Sequence, residues 1–184
     1  LFILVAFSFN HQIRFNNHHK FNCPFGRDRS CYNSRMKNNL VSFIKAIQGK
    51  EVSFTTHNFD EYDYSSLTSG DFVYADPPYL ITTGTYNDGK RGFTGWNESS
   101  EIKLLEILKM LDKKHIHFGL SNVLYHKGKT NHILISWIEE NGFHVNYLDK
   151  DYSNCNYHTF DKSKDSSVEV LVTNYVPEEG KLTL

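Results

Sequence analysis

No apolar run in these 184 residues approaches the roughly 20 that a bilayer-spanning helix needs. The apolar opening, residues 1–7, is too short for a span. It also lacks a basic leader segment and a small-residue cleavage site, so a buried segment cut by truncation is expected there. Cysteine is scarce. Cys23, Cys31 and Cys155 make an odd set without spaced pairs, which excludes a disulfide framework and suits a reducing, cytoplasmic setting. His18 and His19 stand near Cys23 and Cys31, but the spacing matches no zinc module, and no metal is expected. Gly84, Gly89, Gly92 and Gly95 are followed by no Gly-Lys-Ser/Thr and form no dinucleotide fingerprint. No Ser-His-Asp arrangement is legible among the ten scattered histidines, and there are no internal repeats or low-complexity tracts.

What is present suits a globular domain with a real core: 39% hydrophobic and 15% aromatic residues. The net charge of −1 hides a lopsided distribution. Residues 1–50 hold eight Lys/Arg against the single acid Asp28, and the remainder holds twelve basic against twenty acidic groups, so +7 precedes −8. A basic segment rich in Asn, His and aromatics suits phosphate binding; a solvated basic face is the other reading of the charge alone.

Periodicity predicts a helix over 34–48, with Met36, Leu40, Val41, Phe43, Ile44 and Ile47 on its apolar positions and Gly49 ending it. Strands are expected at 51–55, 71–75, 116–120, 143–148 and 168–174. Helices are expected over 99–113, capped by Asn97 or Ser99 with Ile102, Leu105, Leu108 and Leu111 inward, and over 130–141. This alternation implies an α/β fold with a mostly parallel sheet, the last two strands forming an antiparallel edge hairpin. Residues 80–97, rich in Thr, Gly and Asn, are long for a connector and make a candidate lid.

Asp76-Pro77-Pro78-Tyr79 follows directly on the apolar run Phe72-Val73-Tyr74-Ala75. Two prolines without N–H groups cannot continue a ladder, so the strand must stop there. A carboxylate, two rigid carbonyls and an aromatic ring are left at the carboxyl end of a strand, where open α/β sheets place ligands. Asp76 and the Pro77 carbonyl offer two acceptors for the hydrogens of a heterocyclic amino group, and Tyr79 offers a face on which the base can stack. A plain strand-ending turn is the alternative.

The tetrapeptide resembles the catalytic motif of amino-methyltransferases. Arg14-Phe15-Asn16 and Phe21-Asn22-Cys23-Pro24-Phe25-Gly26-Arg27 resemble the signature of Dam-like DNA adenine N6-methyltransferases, most closely their restriction–modification branch, whose members commonly modify GATC. Residues 80–87, Leu120-Ser121-Asn122-Val123, residues 152–157 and residues 169–175 resemble later blocks of that family. The resemblance implies a Rossmann-like S-adenosylmethionine-dependent methyltransferase fold that modifies N6 of adenine in double-stranded DNA. It implies catalytic roles for Asp76, Pro77, Pro78 and Tyr79. Phe59 and Asp76 would bind S-adenosyl-L-methionine, although Asn58 stands where relatives often carry Asp. Arg14, Asn16, Asn22, Pro24 and Arg27 would contact DNA. No metal is implied, because the sulfonium leaving group is already activated.

The family's lysine-bearing segment and glycine-rich cofactor loop do not occur in these residues. The expectation is therefore an incomplete fold: residues 1–35 as part of a DNA-recognition region, and residues 36–184 as the C-terminal part of a catalytic domain. Such a portion would be inactive alone and would need a separate N-terminal fragment. Tyr86, Phe93 and Trp96 are candidates to wall the flipped base, and Ser121-Asn122 are expected at a strand end near Asp76, where they either join the site or cap backbone groups. Two other readings stay open: a DNA-binding remnant without activity, and an amino-methyltransferase acting on RNA or on a protein glutamine. Enzymes of the latter kind usually carry Asn at the first motif position, and the Phe21–Arg27 block speaks against them.

Overall fold

The computed structural model describes residues 1–16, 18–27, 30–82, 95–148 and 167–176. The chain divides into two compact units, Leu1–Thr56 and His57–Leu184. The boundary expected after residue 35 falls inside the first of these.

The first unit contains α1 (Phe2–Phe7), a 3-10 turn (Phe9–His11) and α2 (Ser34–Gln48). The helix α2 coincides with the expected range: the Asn33 side chain accepts from the Met36 N–H, and Gly49 stands at its C-cap. None of its apolar residues is buried. The opening segment also departs from expectation. Of α1 only Ala6 is buried, while Leu1, Phe2, Ile3 and Leu4 are exposed. A six-residue helix that is apolar all round can turn only one narrow stripe inward.

The segment after α2 is a second correction. Residues 51–55 form no strand and are exposed, Phe54 to 83%. A β-branched and aromatic composition favours extended chain, but a strand also needs a partner ladder. Among the described residues none pairs with this segment.

In the second unit, a 3-10 turn (Tyr64–Ser66) precedes β1 (Phe72–Ala75), α3 (Glu98–Lys113), β2 (His117–His126), β3 (Lys129–Thr130), α4 (His132–Asn141), β4 (His144–Tyr147) and β5 (Ser167–Thr173). The strand order is β1-β2-β5-β4, with β3 paired to β2. The strands β1 and β2 are parallel, from Phe72 opposite His117 to Ala75 opposite Leu120. A parallel pair needs a crossover, and α3 lies on it. The strand β5 runs antiparallel to both β2 and β4, so β1, β2 and β4 share a direction and β5 is inserted between them. The expected terminal hairpin is present, with β5 as its inner strand. This mixed α/β sheet fits the methyltransferase fold. The strand expected at 116–120 extends to His126, because its second half gains partners in β5 and β3.

The core lies on one face of this sheet. Phe118 and Leu120 of β2 and Val170 and Val172 of β5 meet Leu104, Leu105, Leu108 and Leu111 of α3 and Leu134, Trp137 and Ile138 of α4. Asn97 caps α3 by accepting from the Ser100 N–H at 3.0 Å, and Glu98 and Glu101 in the first turn suit the helix dipole. Ile102, expected inward, is exposed, and Leu104 takes its place. The buried stripe is Glu101, Leu104, Leu105, Leu108 and Leu111, a helical period whose first position is an acid. Asn131 caps α4 in the same way, and Gly142, at φ +67°, ends it in the left-handed conformation that glycine adopts without cost.

Candidate active site

The strand β1 stops at Ala75, and beyond Asp76 neither Pro77 nor Pro78 has an N–H to donate. Its parallel neighbour β2 continues, so Ser121 stands one residue beyond the last pair, Ala75 opposite Leu120. Tyr79 uses that step. Its hydroxyl lies 2.9 Å from Ser121 Oγ and donates weakly to Asp76 Oδ1 at 3.4 Å. The chain then turns, the Thr82 N–H and Oγ1 both donating to the Tyr79 carbonyl at 3.1 Å. Asp76 is exposed, and Pro77, Pro78 and Tyr79 are half-buried.

Burial pushes the Tyr79 phenol up to about 12, the Ser121 hydrogen bond working against it and the charges of Asp76 and Glu169 adding to it. The phenol therefore stays neutral at physiological pH and remains a donor. The motif thus closes on itself and on β2, with the Tyr79 ring anchored through its hydroxyl.

Phe59 is half-buried and lies 5.4 Å, centroid to centroid, from the tilted ring of Trp96. The Tyr64 hydroxyl donates to the Phe59 carbonyl at 2.8 Å, and Phe59, Ala75 and Trp96 all pack against the same core. Asn58 is exposed, its carbonyl accepting from the Glu61 N–H. Tyr86 and Phe93 lie outside the described residues. Ser121 and Asn122 are not at a strand end as expected; they lie within β2 and point to opposite faces, Ser121 to Tyr79 and Asn122 to Glu101. Sequence reasoning missed Glu101 altogether. Its signal was an acid on the apolar stripe of α3.

The candidate DNA contacts lie together in the first unit. Phe15 and Phe21 form an antiparallel bridge, beside which Arg14 and Asn22 exchange bonds: the Asn22 N–H donates to the Arg14 carbonyl and Arg14 Nε to the Asn22 carbonyl, each at 2.7 Å. Asn16 Oδ1 accepts from the N–H groups of His18 and Lys20, a local turn. The Pro24 carbonyl accepts from the Phe9 N–H at 2.8 Å. Gly26 is buried where a Cβ would lie 2.6 Å from Ser30 Cβ and 3.0 Å from the Ser8 carbonyl, so only glycine fits. Arg14, Asn22, Pro24 and Arg27 are exposed. Among the described residues no group of three or more His, Cys, Asp or Glu could hold a metal ion, and no helix is long and apolar enough to cross a membrane.

The family model for D12 class N6 adenine-specific DNA methyltransferases matches residues 1–163. The chain belongs to that family. Its relatives include the modification methylase StsI of Streptococcus sanguinis, 53% identical over 175 residues, and the type II methyltransferase M.FokI of Planomicrobium okeanokoites, 47% identical over 175 residues. The modification methylase LlaI of Lactococcus lactis subsp. lactis is 40% identical over 178 residues. Each alignment covers 95% of this chain and 26% of the relative, so the chain spans about a quarter of the length of these proteins. The expected resemblance, to Dam-like DNA adenine N6-methyltransferases, and the comparison agree on an N6 adenine-specific DNA methyltransferase family.

The anchored phenol gives a direct check. A folded-state value above the ordinary 10 means that Tyr79 contributes stability that is fully present below pH 10 and lost as the pH rises toward about 12. Tyrosinate difference absorbance should show a late-ionising phenol that disappears in Tyr79→Phe, and Ser121→Ala should delay it further. An unchanged titration in Tyr79→Phe would contradict the buried, bonded hydroxyl.

Proposed function

We propose that this chain supplies the catalytic edge and part of the DNA-recognition region of a methyltransferase that modifies N6 of adenine in double-stranded DNA, as a modification enzyme of a restriction–modification pair. The observation that carries the reading is the Asp76-Pro77-Pro78-Tyr79 edge, closed onto Ser121 and open to solvent at Asp76. Family membership narrows the substrate to DNA adenine. Residues 1–35 supply the DNA-recognition part and residues 36–184 the catalytic part.

The residues present fit part of S-adenosylmethionine: Phe59, backed by Trp96, offers an aromatic face for its adenine, and Asp76 an exposed carboxylate for its cationic end. When bound, that cofactor supplies an activated methyl group on a sulfonium. The chain's own residues do the rest. A flipped adenine stacks on the Tyr79 ring, whose plane is set by the bonds of its hydroxyl to Ser121 and Asp76. Asp76 and the Pro77 carbonyl accept the two amino hydrogens, which localises the nitrogen lone pair and aims it. Asp76 then faces the proton released as the amine becomes alkylated. Most of the rate enhancement comes from alignment and charge placement.

In the complete protein carrying this chain, Asp76→Ala should lower methyl transfer at least about 10²–10³-fold while folding and DNA affinity persist. Tyr79→Ala should be severe. Tyr79→Phe should be milder but measurable, because the ring remains and its anchor is lost. Normal incorporation of radiolabelled methyl groups by Asp76→Ala would refute the mechanism.

Residues 1–35 are the proposed DNA-contacting part, through Arg14, Asn16, Asn22, Pro24 and Arg27. Binding should weaken with salt, each neutralised phosphate adding about 0.9 to the log–log slope. If Arg14 or Arg27 meets a phosphate, its replacement by Ala should lower that slope by about 1. If either reads a base, replacement should blur site preference instead. Slopes and site preferences that match the wild type in both variants would remove these residues from the interface.

A further inference from the structure

Glu101 is the one acid on the buried stripe of α3 and is completely shielded from solvent. A buried carboxyl group is costly unless its oxygens find donors. Glu101 finds three, from three parts of the chain: Trp96 Nε1, just before α3, donates to Oε2 at 2.7 Å, and Asn122 Nδ2 of β2 and Asn131 Nδ2 at the cap of α4 donate to Oε1 at 3.0 and 3.2 Å. Each amide is oriented by its other end. Asn122 Oδ1 accepts from the Val123 N–H at 2.8 Å and Asn131 Oδ1 from the Leu134 N–H at 3.1 Å. Their amino groups must therefore face an acceptor, and an indole N–H can only donate. The site requires acceptors on both oxygens, which glutamate offers and glutamine does not. An acid serving only the helix dipole could sit at the surface, as Glu98 does in the same turn.

The consequence falls on Trp96. Its indole is tethered through Glu101, and its half-buried ring rests 5.4 Å from Phe59 at 50°. We propose that Glu101 is a positioning residue of the cofactor site, holding Trp96 so that the indole and Phe59 form one aromatic wall for the adenine of S-adenosylmethionine. The proposal rests on the assignment of Phe59 made above, and adds the second ring of the wall and the group that fixes it. It also ties that wall to β2, since Asn122 is the direct neighbour of Ser121, which anchors Tyr79.

The test compares the complete protein with its Glu101→Gln, Trp96→Phe and Phe59→Ala variants. Calorimetric affinity for S-adenosylmethionine is read beside KM for that cofactor, kcat at saturation and DNA affinity. Glu101→Gln places a donor against donors and should weaken cofactor binding roughly tenfold or more. It should leave kcat at saturating cofactor and DNA affinity unchanged. Trp96→Phe keeps an aromatic ring but cuts the tether, and should shift the same constant in the same direction by a smaller factor. A purely structural role for Glu101 would lower the melting temperature without moving KM for the cofactor. Wild-type cofactor affinity in folded Glu101→Gln overturns the proposal, and if that variant does not fold, wild-type affinity in Trp96→Phe overturns it. If Phe59→Ala weakens cofactor binding while those variants do not, the positioning role alone falls. If Phe59→Ala also binds as wild type, the assignment of Phe59 falls with it.

Discussion

Two missing N–H groups, at Pro77 and Pro78, organise the sheet edge that carries Asp76 and Tyr79. They end β1 while its parallel partner β2 runs on to His126, and the resulting step in the sheet is the space Tyr79 occupies. A strand that ended together with its neighbour would give the phenol nothing to lean on. Here Ser121 is one residue past the last pair and receives the hydroxyl. The side chains of β2 alternate across the sheet, so the next residue, Asn122, points to the core face and meets Glu101. One strand step thus serves the Tyr79 hydroxyl on one face and the buried polar cluster on the other.

That cluster shows how a fold can hold polar groups in its interior without instability. Every donor and acceptor around Glu101 has an assigned role: two amides whose oxygens face backbone N–H groups, one indole, and two carboxyl oxygens. Satisfied networks of this kind specify a single arrangement, whereas an apolar replacement would let the indole slide. The cluster joins the entry to α3, the cap of α4 and the middle of β2.

Much of this was legible in the sequence because local rules and global fold agree. Asn97 and Gly49 mark helix ends, and α2 and α3 follow within a residue or so. The end of β1 was fixed by the two prolines. Where tertiary context decides, the reading failed. Residues 51–55 have strand composition but no ladder among the described residues, and the apolar α1 buries only Ala6. Ile102 and Leu104 are equally apolar, and only the orientation of α3 on the sheet chooses Leu104. Asp76 and Tyr79 could be singled out as candidates because strand-ending prolines are a backbone constraint. The bonds from Tyr79 to Ser121 and from Trp96 to Glu101 could not, since each depends on how separate elements meet.

The central claim is that the target base rests on Tyr79 at the end of β1. Photo-crosslinking tests it most directly. DNA carrying 5-iodouracil in place of the target adenine would be bound to the complete protein, irradiated, and the adduct mapped by mass spectrometry. The account predicts an adduct on Tyr79 that is lost in Tyr79→Ala while DNA binding persists. An adduct formed efficiently at another residue, with Tyr79 unmodified, would contradict it.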